Sequence, residues 1–225
     1  MEILRAENVS YSYKSKYQTV NAVKGVSCSF EEGKMYAIVG ESGSGKSSFL
    51  SLLAGLELPD EGQIYYKGDS LKDKDLLHYR KKEISVIYQA LNLFPLLTVI
   101  QNVKYPLELN KMKSREAAVI ARENLDAVGI TEEKFNRRPE MLSGGEQQRV
   151  AIARALAKGG SVIFSDEPTG NLDSKNSQNI TELLKNLSHN QGVTVIVVTH
   201  DLKLAQEADV IYSMKDGELY DNEIV

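Results

Sequence analysis

The chain predicts an α/β fold: a mostly parallel sheet that carries its chemistry along one edge and is interrupted by a helical lobe. Three observations lead there. The runs MYAIVG (Met35–Gly40), SVIFSD (Ser161–Asp166) and VTVIVVTH (Val193–His200) are apolar almost throughout, the mark of strands covered on both faces of a parallel sheet. Each then meets a loop rich in Gly, Ser, Asp, Glu or His, and in an open α/β sheet ligands bind outside the carboxyl ends of the strands. Between Ala90 and Lys158 the strand signal vanishes and helical spacing replaces it.

Taken in order, runs rich in Val, Ile and Tyr at Ile3–Tyr13, Val23–Phe30, Met35–Val39, Gln63–Lys67 and Ile84–Tyr88 read as strands, and Ser161–Ser165, Val193–Thr199 and Asp209–Met214 follow after the lobe. SFLSLLAG (Ser48–Gly55) is an apolar helical run. A helix starting near Ser114 places Ala117, Ala121, Leu125 and Val128 on one face. In LSGGEQQR, Ser143, Gly144, Gly145 and Glu146 spell an S-x-x-E capping box. Such a helix start turns backbone N–H groups and the positive dipole end outward, where they attract phosphate. The division is a core of about residues 1–89 and 159–225 with a helical lobe of about 90–158, one folding unit over 1–225.

With 225 residues, 42% of them apolar, the chain can bury one substantial core. A net charge of −4 and a pI near 5.5 give no field that would draw it to nucleic acid or an anionic lipid surface. The RKK cluster at Arg80–Lys82 reads as a solvated face. The single cysteine, Cys28, lies in an apolar strand-like run, so no disulfide forms within the chain; the expectation is a buried small side chain and a reducing compartment. MEILRAENVS lacks the apolar segment of a signal peptide. The longest apolar runs, such as Leu93–Ile100, fall short of the ~20 residues that span a bilayer, so a membrane role has to come through a partner.

The strongest chemical signal is GESGSGKS, in which Gly40, Glu41, Ser42, Gly43, Ser44, Gly45, Lys46 and Ser47 match G-x-x-x-x-G-K-[ST] between a strand and a helical run. Glycines let backbone N–H groups curl around phosphate, Lys46 reaches the outer phosphates as a point charge, and Ser47 offers a hydroxyl to Mg²⁺. Ser48 completes the expected cradle. Asp166 ends a strand and Glu167 follows, which suits one carboxylate for the Mg²⁺ shell and a second to orient or deprotonate the attacking water. His200 closes another strand, where an imidazole can contact the γ-phosphate. Gln89 follows ISVIY at the joint with the lobe, a candidate relay of metal or water to that lobe. Tyr11 and Tyr13 alternate with Ser10 and Ser12, so both rings share a face, and Tyr13 is the candidate to stack on adenine. His78 and His189 are assigned no role.

In this order the motifs resemble those of the ATP-binding subunits of ATP-binding cassette transporters, over essentially all 225 residues. GESGSGKS looks like the Walker A loop, Gln89 the Q-loop glutamine, LSGGEQQR the family signature, VIFSDE the Walker B strand, GNLD (Gly170–Asp173) the D-loop, His200 the switch histidine and Tyr13 the aromatic A-loop position. DEPTGNLD with LNLFPLLTVIQNV looks most like the group that powers macrolide export, lipoprotein release and antimicrobial-peptide resistance. Where relatives often carry a proline before the Walker B strand, this chain has KGGS at Lys158–Ser161, expected to loosen that turn.

The resemblance implies a P-loop NTPase core with an antiparallel N-terminal β-subdomain and an inserted helical lobe, and ATP and Mg²⁺ as ligands. It also implies a head-to-tail dimer in which the signature helix of one copy, with Ser143, Gly144, Gly145 and Glu146, covers the nucleotide held by the other, and it gives Asp173 as a further nucleotide-binding residue. An integral membrane permease-type subunit is the implied partner, which would place the chain at the cytoplasmic face of the cell membrane. With the chain stopping at Val225, only the nucleotide-driven engine is expected. A second reading is a mechanical or signalling ATPase that moves a membrane protein without carrying a substrate. A third, a soluble cassette ATPase acting on DNA or ribosomes, is disfavoured by the acidic balance; no nucleic acid is expected.

Overall fold

Two long strands open the computed structural model, which describes residues 1–221; the expected end at Val225 lies outside the described residues. In chain order the elements are β1 (Glu2–Lys14), β2 (Thr19–Glu31), β3 (Met35–Val39), α1 (Lys46–Leu53), β4 (Glu61–Tyr66), β5 (Asp69–Ser70), α2 (Leu76–His78, continuing as a π-turn over Tyr79–Glu83) and β6 (Ile84–Ile87). Then come α3 (Val99–Leu109), α4 (Ser114–Ala127), α5 (Gly144–Lys158), β7 (Val162–Asp166), α6 (Ser174–Gln191), β8 (Thr194–Thr199), α7 (Leu202–Gln206), β9 (Val210–Lys215) and β10 (Glu218–Asp221). The short strands β5 and β10 carry no apolar run and were not expected.

The strands form two sheets. The first is antiparallel, in the order β2-β1-β4-β5. The second, in the order β10-β9-β3-β8-β7-β6, is parallel except at its β10 edge. All of β3 and β8 is buried, as their unbroken apolar sequences require. One core lies between the antiparallel sheet and this second sheet, where Leu4, Val9 and Phe30 meet Phe49, Leu50 and Leu53 of α1. A second core on the opposite face joins Val195 and Val197 of β8 to α3, α4, α5 and α6. Cys28 is half-buried at the edge of the first core, and burial pushes its thiol up. Among the described residues no helix is long and apolar enough to cross a membrane.

The helices between β6 and β7 form as their spacing directs: Ala117, Ala121 and Leu125 are buried on one face of α4, and Val128 caps it. The KGGS turn differs from the expectation. Gly159 and Gly160 take positive φ (81° and 116°), and a Cβ at Gly160 would sit 2.8 Å from the Glu83 carbonyl oxygen. Without side chains the turn packs onto β6 and is pinned there. Lys158 Nζ donates to Ile84 O at 2.7 Å, Ser85 Oγ to Gly159 O at 3.1 Å and Ser161 N to Glu83 O at 2.8 Å. Glycine here allows close approach rather than looseness.

Candidate functional site

The order β3-β8-β7-β6 sets four strand tips side by side. Beyond them come, in the same order, the Gly40–Ser47 loop, His200, the Asp166–Glu167 pair and Gln89. Register tightens the alignment, since Val39 pairs with Thr199 and Asp166 with Val198. A cleft of about 800 Å³ collects Glu41, Ser42, Gly43, Gly45, Lys46, Ser47, Ser48, Gln89, Glu167 and His200, with Tyr13 on its wall.

The loop is shaped by its glycines. A Cβ at Gly40 would run into the Met214 carbonyl, and one at Gly45 into that of Ala22. Gly45 is the N-cap of α1 at φ 107° and contributes no side-chain cap, so the first N–H groups of α1 face the cleft. Lys46 is buried and bridges the loop, its Nζ donating to Gly40 O at 2.7 Å and Glu41 O at 2.9 Å. Burial lowers the Lys46 pKa, against the opposing pull of Glu167 and Asp166. Within the loop, Ser44 Oγ is buried with no protein partner.

Ser47 Oγ donates to Asp166 Oδ1 at 3.1 Å, which joins α1 to the tip of β7. Desolvation raises the Asp166 pKa, with the Ser47 hydrogen bond opposing it. Glu167 takes a left-handed backbone, φ 48°, a conformation uncommon for a non-glycine residue. Its carboxylate accepts from Thr199 Oγ1 at 3.1 Å through Oε2 and lies 3.0 Å from His200 Nδ1 through Oε1. Tyr13 is exposed at the cleft wall, edge-on to Tyr11 with centroids 5.1 Å apart, and its Oη lies 3.2 Å from Ser48 Oγ.

The remaining candidates lie outside this cleft, and Gly144 alone of them reaches its border, sharing a smaller cavity of about 220 Å³ with Gln89 and Glu167. Ser143 caps α5 in a complete capping box: its N–H donates to Glu146 Oε2 at 2.8 Å and its Oγ accepts from Glu146 N at 3.4 Å. Gly145 packs against α6, where a Cβ would lie 2.8 Å from Asn176 Oδ1, and Gly144 faces Leu172 just before that helix. The Asp173 carboxylate caps α6, accepting from Asn176 N at 2.9 Å and Asn176 Nδ2 at 2.7 Å. None of Ser143, Gly144, Gly145, Glu146 and Asp173 lines the cleft that holds Lys46.

Two residues that sequence reasoning missed support the site. Arg154 on α5 donates to Leu91 O and Asn92 O, each at 2.6 Å, and so clamps the segment after Gln89 onto the signature helix. Leu91 and Asn92 both take positive φ to present those carbonyls. Thr199 is the second, holding Glu167. An Arg at helical spacing and a Thr ending a strand carry no motif, so tertiary placement alone reveals them.

A family model described as "ABC transporter" matches residues 23–170. The ATP-binding protein MJ0796 of Methanocaldococcus jannaschii, an uncharacterized ABC transporter component, is 41% identical over 223 residues, covering 96% of this chain and 95% of its own. YclH of Bacillus subtilis, described in the same terms, is 40% identical over 217 residues, with 96% and 95% covered. A solved dimeric structure of MJ0796, a post-hydrolysis state bound to ADP and Pi, matches at TM-score 0.89 and 38% identity, over 99% of this chain and 100% of that one. That of cbiO1 from Clostridium perfringens, part of the cbiONQ transporter complex, matches at TM-score 0.86 and 28% identity, over 97% and 87%.

Proposed function

The chain belongs to the ABC transporter family of ATP-binding cassettes, and from that premise we propose that two copies close head to tail on ATP, hydrolyse it, and drive an integral membrane permease-type subunit from the cytoplasmic face. The observation that carries this reading is the separation of the two phosphate-seeking helix ends. The start of α1 opens on the cleft with Lys46, while Ser143 and the start of α5 lie outside it. A second copy turned end to end brings the outlying start of α5 onto the cleft of the first. The dimeric structure of MJ0796 bound to ADP and Pi supports a dimer here.

The residues fit Mg²⁺. Ser47 Oγ, on the cleft wall, already sits 3.1 Å from Asp166 Oδ1, and hydroxyl, carboxylate and the Gln89 amide are the hard oxygen donors this ion takes alongside phosphate and water. Among the described residues no cluster of three or more His, Cys, Asp or Glu would cage a metal by itself, consistent with an ion shared with the nucleotide. When bound, Mg²⁺ supplies charge neutralisation at the phosphates. Lys46 exchanges its two carbonyl acceptors for phosphate oxygens. Glu167 accepts the proton of the attacking water. His200, on the exposed side of Glu167, turns to the γ-phosphate.

Docking on the membrane subunit is assigned to the groove of about 220 Å³ between Phe94, Tyr105, Leu109, Arg154 and Lys158. It lies beside the segment that Arg154 clamps, so a helix seated there pushes on Gln89 and α5 together.

The reading is tested with Glu167→Gln. Loss of a general base commonly costs ~10² to 10⁴ in rate, so turnover should nearly stop while ATP binding persists and Mg-ATP traps a dimer. Gel filtration showing monomer alone, or phosphate release at the parental rate, overturns it.

A further inference from the structure

The Glu167 carboxylate is held from two sides that differ in how readily they let go. Oε1 faces His200 Nδ1, and the His200 side chain is 66% exposed. Oε2 accepts from Thr199 Oγ1, and Thr199 is fully buried at the end of β8, locked in register with Val39 of β3. The backbone N–H of His200 adds a longer bond to Oε2 at 3.4 Å. One hold is free to swing; the other is part of the sheet.

The direction of the Thr199 hydroxyl is fixed as well. A threonine hydroxyl has one hydrogen and two lone pairs. Thr199 Oγ1 accepts from Asp201 N at 3.0 Å, which leaves its hydrogen for Glu167 Oε2. Asp201 is anchored in turn: Oδ1 accepts from Lys203 N at 2.9 Å at the start of α7, and Oδ2 from Thr169 Oγ1 at 3.3 Å. Thr169 lies between Glu167 and the Gly170–Asp173 loop. The strained Glu167 backbone is tied down by its own N–H, which donates to Val198 O at 2.9 Å.

We propose that Thr199 is a positioning residue for Glu167: its buried hydroxyl keeps Oε2 anchored so that departure of His200 frees Oε1 alone for the attacking water. This rests on the reading of Glu167 as the base. Without the hydroxyl the carboxylate rotates about its side-chain torsions and follows the imidazole, and the base loses its aim. A positional error of this kind acts on the chemical step and not on ATP binding, whose proposed contacts lie in the Gly40–Ser47 loop and at Tyr13.

The test compares Thr199→Val, which keeps the shape and removes the hydroxyl, with Thr199→Ser, which keeps the hydroxyl and removes a buried methyl. A hydrogen bond to a charged group is worth enough that Thr199→Val should lower kcat about tenfold or more, with KM for ATP within about twofold. Thr199→Ser should restore most of kcat while unfolding at a lower temperature than Thr199→Val. Should Thr199→Val not fold, Thr199→Ala against Thr199→Ser isolates the same hydroxyl. Parental kcat in Thr199→Val, or kcat that tracks thermal stability across the three variants, overturns the proposal. Glu167→Gln, measured beside them, separates the two levels. Near-parental turnover there removes the base reading and Thr199's role with it, whereas an inactive Glu167→Gln beside a fully active Thr199→Val removes Thr199's role alone.

Discussion

Lys134 Nζ lies 2.7 Å from Glu146 Oε1, and the other oxygen of the same carboxylate accepts from Ser143 N at 2.8 Å. A single side chain therefore ties the start of α5 to the earlier turn at Glu132–Lys134. With Lys134 foremost and the Ser143 N–H next, the Glu146 carboxyl is held down at about 2, from an ordinary 4.5. A carboxyl whose folded value is depressed adds stability above its unfolded value, and that stability is lost as pH falls through the folded one.

The first prediction follows from that sign. Glu146→Gln should be less stable than the parent at pH 7, by about 1 kcal/mol or less because the pair is partly solvated. The difference should shrink as pH falls from about 4.5 towards 2, read as the gap between the two urea midpoints so that other carboxyls cancel. Carboxyl-carbon NMR should show Glu146 titrating near 2 in the parent and higher in Lys134→Met. An ordinary midpoint in the parent would remove Lys134 from the account.

The second concerns the Tyr13 ring, exposed at the cleft wall. Base stacking on an aromatic is worth ~1 to 3 kcal/mol, so Tyr13→Ala should weaken fluorescent-ATP binding about tenfold. Tyr13→Phe loses the contact to Ser48 Oγ but keeps the face, and should bind within about threefold of the parent. Tyr11 packs against the first core. A larger loss from Tyr11→Ala, with the fold intact, would move the stack to that ring.

The third concerns LFPLLTVI, which the structure divides. Leu93 packs on the second core and Val99 is buried in it, whereas Phe94 and Leu96 are exposed and Phe94 lies 4.6 Å from the Tyr105 ring at the groove. Asn102, fully buried, holds the segment through Phe94 N at 2.7 Å and Phe94 O at 3.1 Å. Phe94→Asp should abolish capture of the membrane subunit from detergent extract and leave ATPase activity of the isolated chain unchanged. Leu93→Asp should instead cost helical signal in circular dichroism. Undiminished capture by Phe94→Asp would move docking off this groove.

Much of this was legible because chemistry sits where strands stop. Met35–Val39, Ser161–Ser165 and Val193–Thr199 announce buried strands by composition, and the residue after each strand tip is a candidate that the sheet order brings to one edge. The helix starts were legible for a related reason, since Ser143 and Glu146 satisfy each other locally. What escaped depends on contacts between distant segments. Arg154 and Leu91 lie far apart in sequence and meet through packing of α5. Gly160 reads as a loosening residue until the Glu83 carbonyl is seen against it. Thr199 reads as one more β-branched strand residue, and its hydroxyl meets Glu167 only when β7 and β8 pair.

The last prediction asks whose nucleotide the start of α5 serves. In the double variant Lys46→Ala with Ser143→Arg, the loop lysine and the capping serine are ruined in one polypeptide. If α5 acts across the dimer, pairing this chain with an unaltered one leaves no intact site, because each site takes one damaged half, and excess variant should suppress ATPase activity almost completely. If α5 acts within its own chain, the unaltered partner keeps a whole site and about half the activity survives, provided the sites turn over independently. Coupling between sites would blur that comparison, so a second mixture decides it. Lys46→Ala chains combined with Ser143→Arg chains should, across the dimer, give heterodimers with one intact and one doubly broken site. ATP at the intact site can be scored by photo-crosslinking even where turnover needs both. Activity undiminished by excess double variant, with heterodimers confirmed, would leave LSGGEQQR as a helix cap and nothing more. Its placement outside the cleft that holds Lys46 in its own chain leads us to expect suppression.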